Sequence, residues 1–112
     1  MGMKHKVYLD HSGQFYSCKR CETHLVPRKE LVSKNFHGRH GYAYLFNKLY
    51  NVYDGPPEPR SMLTGEHIVC DQYCIGCGTV LGWKYIKAFA ETETYKESKC
   101  ILEMKIVSKH IF

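Results

Sequence analysis

The sequence predicts a single, mostly antiparallel β domain with little helix. Three observations carry this. Short segments alternate apolar with polar residues at period two. Glycines (Gly13, Gly38, Gly41, Gly65, Gly76, Gly78, Gly82) punctuate the chain at spacings typical of strands joined by turns. And the pattern Cys-x-x-Cys-x-Thr-x-Leu occurs twice, as CKRCETHL at residues 18–25 and CIGCGTVL at residues 74–81. With 112 residues, of which 44% are hydrophobic, the chain is the size of one domain with a core of its own. Cores this small are commonly helped by a staple.

The elements follow in order. Val7–Leu9 and Phe15–Ser17 predict an N-terminal hairpin around Gly13, and Pro27 opens one helical turn over Arg28–Leu31. Tyr42–Phe46 (YAYLF), Leu49–Tyr53 (LYNVY) and His67–Asp71 (HIVCD) are short and rich in aromatic or β-branched residues, hence strands. Between them DGPPEPR, residues 54–60, holds three prolines and a glycine and predicts a surface loop. Trp83, Tyr85 and Phe89 share one face of a period-two segment, with Lys84 opposite. A second helical turn is expected near Glu93–Glu97. In Lys99–Val107 (KCILEMKIV), Leu102, Met104 and Ile106 fall on one face of a strand, Glu103 and Lys105 on the other. The expected domain is 8–107, with residues 1–7 a short extension.

The repeated cysteines have a chemical meaning. Two residues between sulfurs let both thiolates of one loop face the same ion, and two such loops supply the four ligands of a tetrahedral structural zinc. Cys18, Cys21, Cys74 and Cys77 are therefore the expected ligands of one Zn2+. The 52 residues between Cys21 and Cys74 exceed the gap of compact zinc ribbons, so most of the sheet is inserted between the two knuckles. Closing so long a loop removes much freedom from the unfolded chain. A thioredoxin-like redox pair needs a βαβ setting, which is lacking. His24 is a rival ligand, but Val80 holds the equivalent place in the second knuckle. Cys70 and Cys100 sit in strand patterns without a neighbouring base and read as small buried hydrophobes.

Residues 1–10 (MGMKHKVYLD) lack the apolar stretch of a secretory signal, and no segment reaches the length of a membrane span. A reducing intracellular setting is the expectation, and there paired cysteines favour metal over disulfides. The net charge is +5, but the basic residues are scattered and offset by eleven acids. Nucleic-acid binding through Lys4, Lys6, Arg28, Lys29, Lys34 and Arg39, with aromatic residues for stacking, is thus an alternative rather than the leading reading.

The stretches YLDHSGQFYSCKRCETHL, ELVSKNFHGRHGYAYLFNKLYNV, RSMLTGEHIVCDQYCIGCGTVLGWKY and YKESKCILE resemble the yippee-like proteins over nearly the whole chain. The resemblance implies a zinc-pinned β-tent of two antiparallel sheets, similar in architecture to the thalidomide-binding domain of cereblon and to the zinc-containing methionine sulfoxide reductases. It implies nuclear and cytoplasmic proteins without established catalysis, some associated with a multisubunit ubiquitin ligase. The reductases' Arg-x-Cys setting is missing before Cys70 and Cys100. In cereblon three indoles cage a cyclic imide. Here Trp83 holds the place of one, and Met62–Val69, which would bring the others, offers Leu63, His67 and Val69 instead.

The functional expectation is a non-enzymatic, zinc-stabilised protein-interaction module, an accessory subunit of a larger assembly. Trp83 is its expected anchor, Tyr85, His67, Leu63 and Asn47 its further contacts, and Arg60–His67 one rim. The rival is a Cys-dependent reductase of the methionine sulfoxide type.

Overall fold

A computed structural model describes residues 13–110. Ten strands run in chain order: β1 (Phe15–Cys18), β2 (His24–Pro27), β3 (Leu31–Gly38), β4 (Gly41–Phe46), β5 (Val52–Asp54), β6 (Glu58–Met62), β7 (Gly65–Cys74), β8 (Val80–Ala88), β9 (Cys100–Glu103) and β10 (Val107–His110). Short 3-10 turns at Arg28–Glu30, Glu91–Lys96 and Met104–Ile106 are the helical content of the described residues. All pairings are antiparallel. One sheet has three strands in the order β10-β1-β2; the other has the order β3-β4-β9-β8-β7-β5, with β6 pairing β7 beside β5. The two-sheet, helix-poor fold expected from the sequence is present. No helix among these residues is long and apolar enough to cross a membrane.

The larger sheet buries both faces. Along β4 and β9, Phe46, Cys100 and Leu102 meet the smaller sheet's Tyr16, Leu25, Val26 and Val107. The alternate residues Ala43, Leu45 and Ile101 join Val69 and Tyr85 on the opposite face, where Phe36, Met62 and Trp83 cover them in part. β9 is therefore buried at all four residues. Gly82, paired with Leu102, is required by close approach: a Cβ there would stand 1.9 Å from the Ile101 carbonyl oxygen.

Four expectations need correction. Lys99–Val107 is two strands in different sheets. Met104–Ile106 turns between them, and the Ile106 carbonyl accepts from Lys19 N–H at 3.0 Å, which hands the chain to the smaller sheet. Glu103, expected on a solvent face, is buried. Leu49–Tyr53 is strand only from Val52, because Asn51 adopts a left-handed φ of 57° that no strand holds. The 54–60 loop is short: Asp54 ends β5 and Glu58–Arg60 begin β6, whose Pro59 is tolerated on an edge strand.

β3 went unforeseen because register shifts between Leu31 and Phe36 break its alternation. The turns at Arg28–Glu30 and Glu91–Lys96 lie at or near their expected places. Phe15–Ser17 does form a strand, whereas Val7–Leu9, Lys4, Lys6 and residues 1–7 lie outside the described residues.

Candidate functional site

Cys18 ends β1 in the smaller sheet and Cys74 ends β7 in the larger, each followed by a tight turn carrying the second cysteine. The two knuckles are built alike. Cys18 N–H donates to Thr23 O at 2.8 Å and Glu22 N–H to Cys18 O at 2.7 Å; Cys74 N–H to Thr79 O and Gly78 N–H to Cys74 O repeat this at 2.9 and 2.8 Å. Glu22 and Gly78, the matching positions, both take left-handed φ, 64° and 76°. The shared threonines close each turn: Thr23 Oγ1 lies 3.0 Å from Cys21 Sγ, and Thr79 Oγ1 lies 3.0 Å from Cys77 Sγ. The shared leucines, Leu25 and Leu81, enter the same core fully buried.

The four sulfurs lie within 4.8 Å of one another, with Cys18–Cys77 at 3.7 Å and Cys21–Cys74 at 3.5 Å. A tetrahedral zinc with Zn–S of about 2.3 Å requires sulfurs about 3.8 Å apart. The donor set and its spacing fit that ion. Burial pushes the Cys18 thiol up to about 12. Burial also acts to raise Cys77, but the Thr79 hydroxyl and backbone and the neighbouring Cys18 and Cys21 sulfurs outweigh it and hold Cys77 at about 6. One ligand is thus ready as thiolate at neutral pH, and a bound cation favours loss of the remaining protons. His24 is not part of the cluster; its ring packs on Phe15 at 4.4 Å.

A groove of about 840 Å3 opens on the other face of the larger sheet. Trp83 and Tyr85 of β8 line it with Phe36 of β3, Met62 of β6 and Leu63 at the β6–β7 tip. Of the Arg60–His67 segment, Arg60, Met62, Leu63 and Thr64 line the groove. Two expected contacts lie elsewhere. Asn47 ties the end of β4 to the first turn, its N–H donating to Glu30 O at 2.9 Å and its amide to Glu30 Oε1 at 3.4 Å. His67 is 1% exposed, packs tilted against the Tyr85 ring at 5.2 Å and donates from Nδ1 to Gly65 O at 3.0 Å.

Sequence reasoning missed most of the polar lining: it placed Arg60 on the rim and named Arg39 only as a nucleic-acid contact. His37 comes from the end of β3, Arg39 and His40 from the β3–β4 turn, Asp71 from β7, and Glu93, Tyr95 and Lys96 from the Glu91–Lys96 turn. The Gly38-Arg39-His40-Gly41 turn and the Glu93-x-x-Lys96 spacing were the available signals. Lys96 is buried: its Nζ donates to Glu93 Oε1 at 2.6 Å and Thr64 Oγ1 at 3.1 Å, and sits 5.3 Å from the ring centres of Phe36 and Tyr85. The lining includes no cysteine. Cys70 and Cys100 are in the interior; burial raises both thiols, Cys100 to about 11, which leaves them protonated at neutral pH.

Fold and site together define a zinc-clamped two-sheet β domain, with metal ligands at one place and an open groove at another. Residues 14–111 match the family described as Yippee zinc-binding/DNA-binding/Mis18, centromere assembly. Protein yippee-like 4 of Homo sapiens is 50% identical over 104 residues, spanning 93% of this chain and 82% of its own. Protein yippee-like of Solanum tuberosum is 50% identical over 91 residues, 81% of this chain and 70% of its own, and protein yippee-like 3 of Danio rerio is 48% identical over 104 residues, 93% and 87%. The crystal structure of a Mis18 'Yippee-like' domain superposes with a TM-score of 0.70 at 13% identity, covering 90% of this chain and 98% of that one, which shows a shared fold. The chain belongs to the yippee-like family.

Proposed function

We propose that this protein is a non-enzymatic interaction module, stabilised by its zinc clamp, that receives a segment of a protein partner in the Trp83 groove. One observation carries the reading: the groove is lined by apolar and charged side chains without a cysteine, and the four metal ligands stand outside it. Zinc held by four cysteines is coordinatively closed and leaves no open position for a substrate. The remaining thiols are buried and protonated, which argues against a reductase. Membership of a larger assembly such as a ubiquitin ligase, and residence in nucleus and cytoplasm, belong to the same proposal and rest on the family resemblance.

The test is affinity capture from the native cell with wild type, Trp83→Ala and Leu63→Asp, each checked for zinc content and a cooperative melt. Leu63 is fully exposed on the rim, so its replacement spares the fold. Loss of the same partner from both folded variants is the expected result. Retention of every partner by folded Leu63→Asp, or turnover of oxidised methionine by zinc-loaded protein, overturns the reading.

A further inference from the structure

We infer that the groove's occupant is an extended acidic peptide, with an apolar side chain against Trp83 and carboxylates on the β3–β4 turn. This rests on the groove reading above and specifies the chemistry of the ligand. β8 runs along the groove from Val80 to Tyr85, which is roughly 17 Å of strand and room for about five residues of extended chain. Phe36, Met62 and Trp83 are only partly buried where they cover the core beneath, so they present an apolar floor.

Charge selects the ligand. On its β3 and β3–β4 turn side the groove is lined by His37, Arg39 and His40, with no acid from that strand or turn. Three acids line the groove, and each is already engaged: Asp71 by Arg60 at 3.3 Å, Glu93 by Lys96 at 2.6 Å, and Glu103 by His40 at 3.1 Å. Arg39 lines the same groove and pairs with none of them. The rim thus offers a guanidinium without an ion-pair partner among the described residues, placed to form a bidentate bond with an incoming carboxylate. The edge of β3 away from β4, outermost among the described strands, is a poor template for strand addition, since its register shifts near Asn35, whose N–H is taken by Ser33 Oγ at 3.1 Å. Recognition therefore falls to side chains. A nucleic acid fits less well, since it wants a track of cations along its phosphates.

Trp83 is the protein's only tryptophan, so its emission reports the groove directly. The zinc-loaded full chain is titrated with short amidated peptides alternating Leu with Glu, Leu with Gln or Leu with Lys, and with a thymidine oligonucleotide. The Leu-Glu peptide is expected to shift the Trp83 emission and to bind more weakly as salt is raised. Arg39→Glu, at an exposed position, is expected to weaken it about tenfold, and Arg39→Ala by less. If the Leu-Gln peptide binds equally well, or Arg39→Glu leaves affinity unchanged, the acidic assignment is overturned while the groove reading stands. Tighter binding of the oligonucleotide, or of no peptide at all, also overturns it. Partner capture by the Leu63 and Trp83 variants tests the groove separately.

Discussion

Lys96 Nζ lies 2.6 Å from Glu93 Oε1, and the lysine side chain is 3% exposed. Such an ammonium is tolerable only because Glu93, Thr64 and the faces of Phe36 and Tyr85 replace its water. Removing the carboxylate leaves a buried cation without its counterion, whereas replacing the lysine by an apolar chain removes the need for one. Glu93→Gln should therefore melt at lower temperature than Lys96→Met. The acid side gives a second readout. The Lys96 hydrogen bond holds Glu93 below its ordinary value of 4.5, so the pair's contribution is complete above that pH and is lost as pH falls through the lowered value. Melts taken from neutral to acid pH should fall less steeply in Lys96→Met than in wild type. The zinc site is common to both and cancels from the comparison. Equal slopes would count against the pair.

The threonine of each knuckle lies 3.0 Å from the outer cysteine's sulfur, so its hydroxyl donates to the thiolate that binds metal. Thr79→Val keeps the shape and removes that donor, leaving Cys77 less acidic. Zinc affinity should drop about tenfold or more, as for other groups that orient a metal ligand. Thr23→Val should lower it similarly through Cys21. Competition with a chromophoric chelator measures both, and an unchanged affinity would assign the threonines to the turn alone.

The metal clamp was legible because cysteine spacing is a local signal, and the structure adds the reason for its flanks. Thr23 and Thr79 bond the sulfurs, and Leu25 and Leu81 fill one core. The groove was only half legible. Trp83, Tyr85 and Leu63 stood out by type, but His67 was buried and Asn47 lay elsewhere, since neither burial nor distance is written in a single residue. Arg39 and Lys96 reach the groove through pairing across strands and turns far apart in sequence. The break at Met104–Ile106 was hidden for a related reason. Leu102 keeps its expected inward face and Met104 and Ile106 pack against the same core, so alternation survives while the chain changes sheets.

Gly82 makes the closest approach between β8 and β9. A methyl group placed there meets the backbone oxygen of Ile101 at 1.9 Å, and no side-chain rotation relieves a clash with backbone. Gly82→Ala should part the two strands and cost about 3 kcal/mol or more. The readout is the urea midpoint of zinc-loaded protein. Gly13→Ala, where an added Cβ meets no atom of the described residues within 4 Å, is the control and should leave that midpoint in place.

Cys100 tests whether the thiols outside the zinc site have chemistry of their own. It lies in the core between the sheets, and burial raises it from an ordinary 9.0 to about 11. At neutral pH it is a protonated thiol without access to solvent, a poor nucleophile on both counts. Because the folded value is the higher one, the stability it contributes is complete below pH 9.0 and is lost as pH rises towards about 11. Cys70 is buried and its thiol is raised in the same direction. Zinc-loaded protein treated with iodoacetamide at neutral pH should therefore acquire no adduct by mass spectrometry. Metal binding contributes on the order of 10–16 kcal/mol in small zinc peptides, so a strong chelator should unfold the chain and expose all six cysteines to alkylation. Prompt labelling of Cys100 or Cys70 before chelation would show a reactive thiol and reopen the reductase reading.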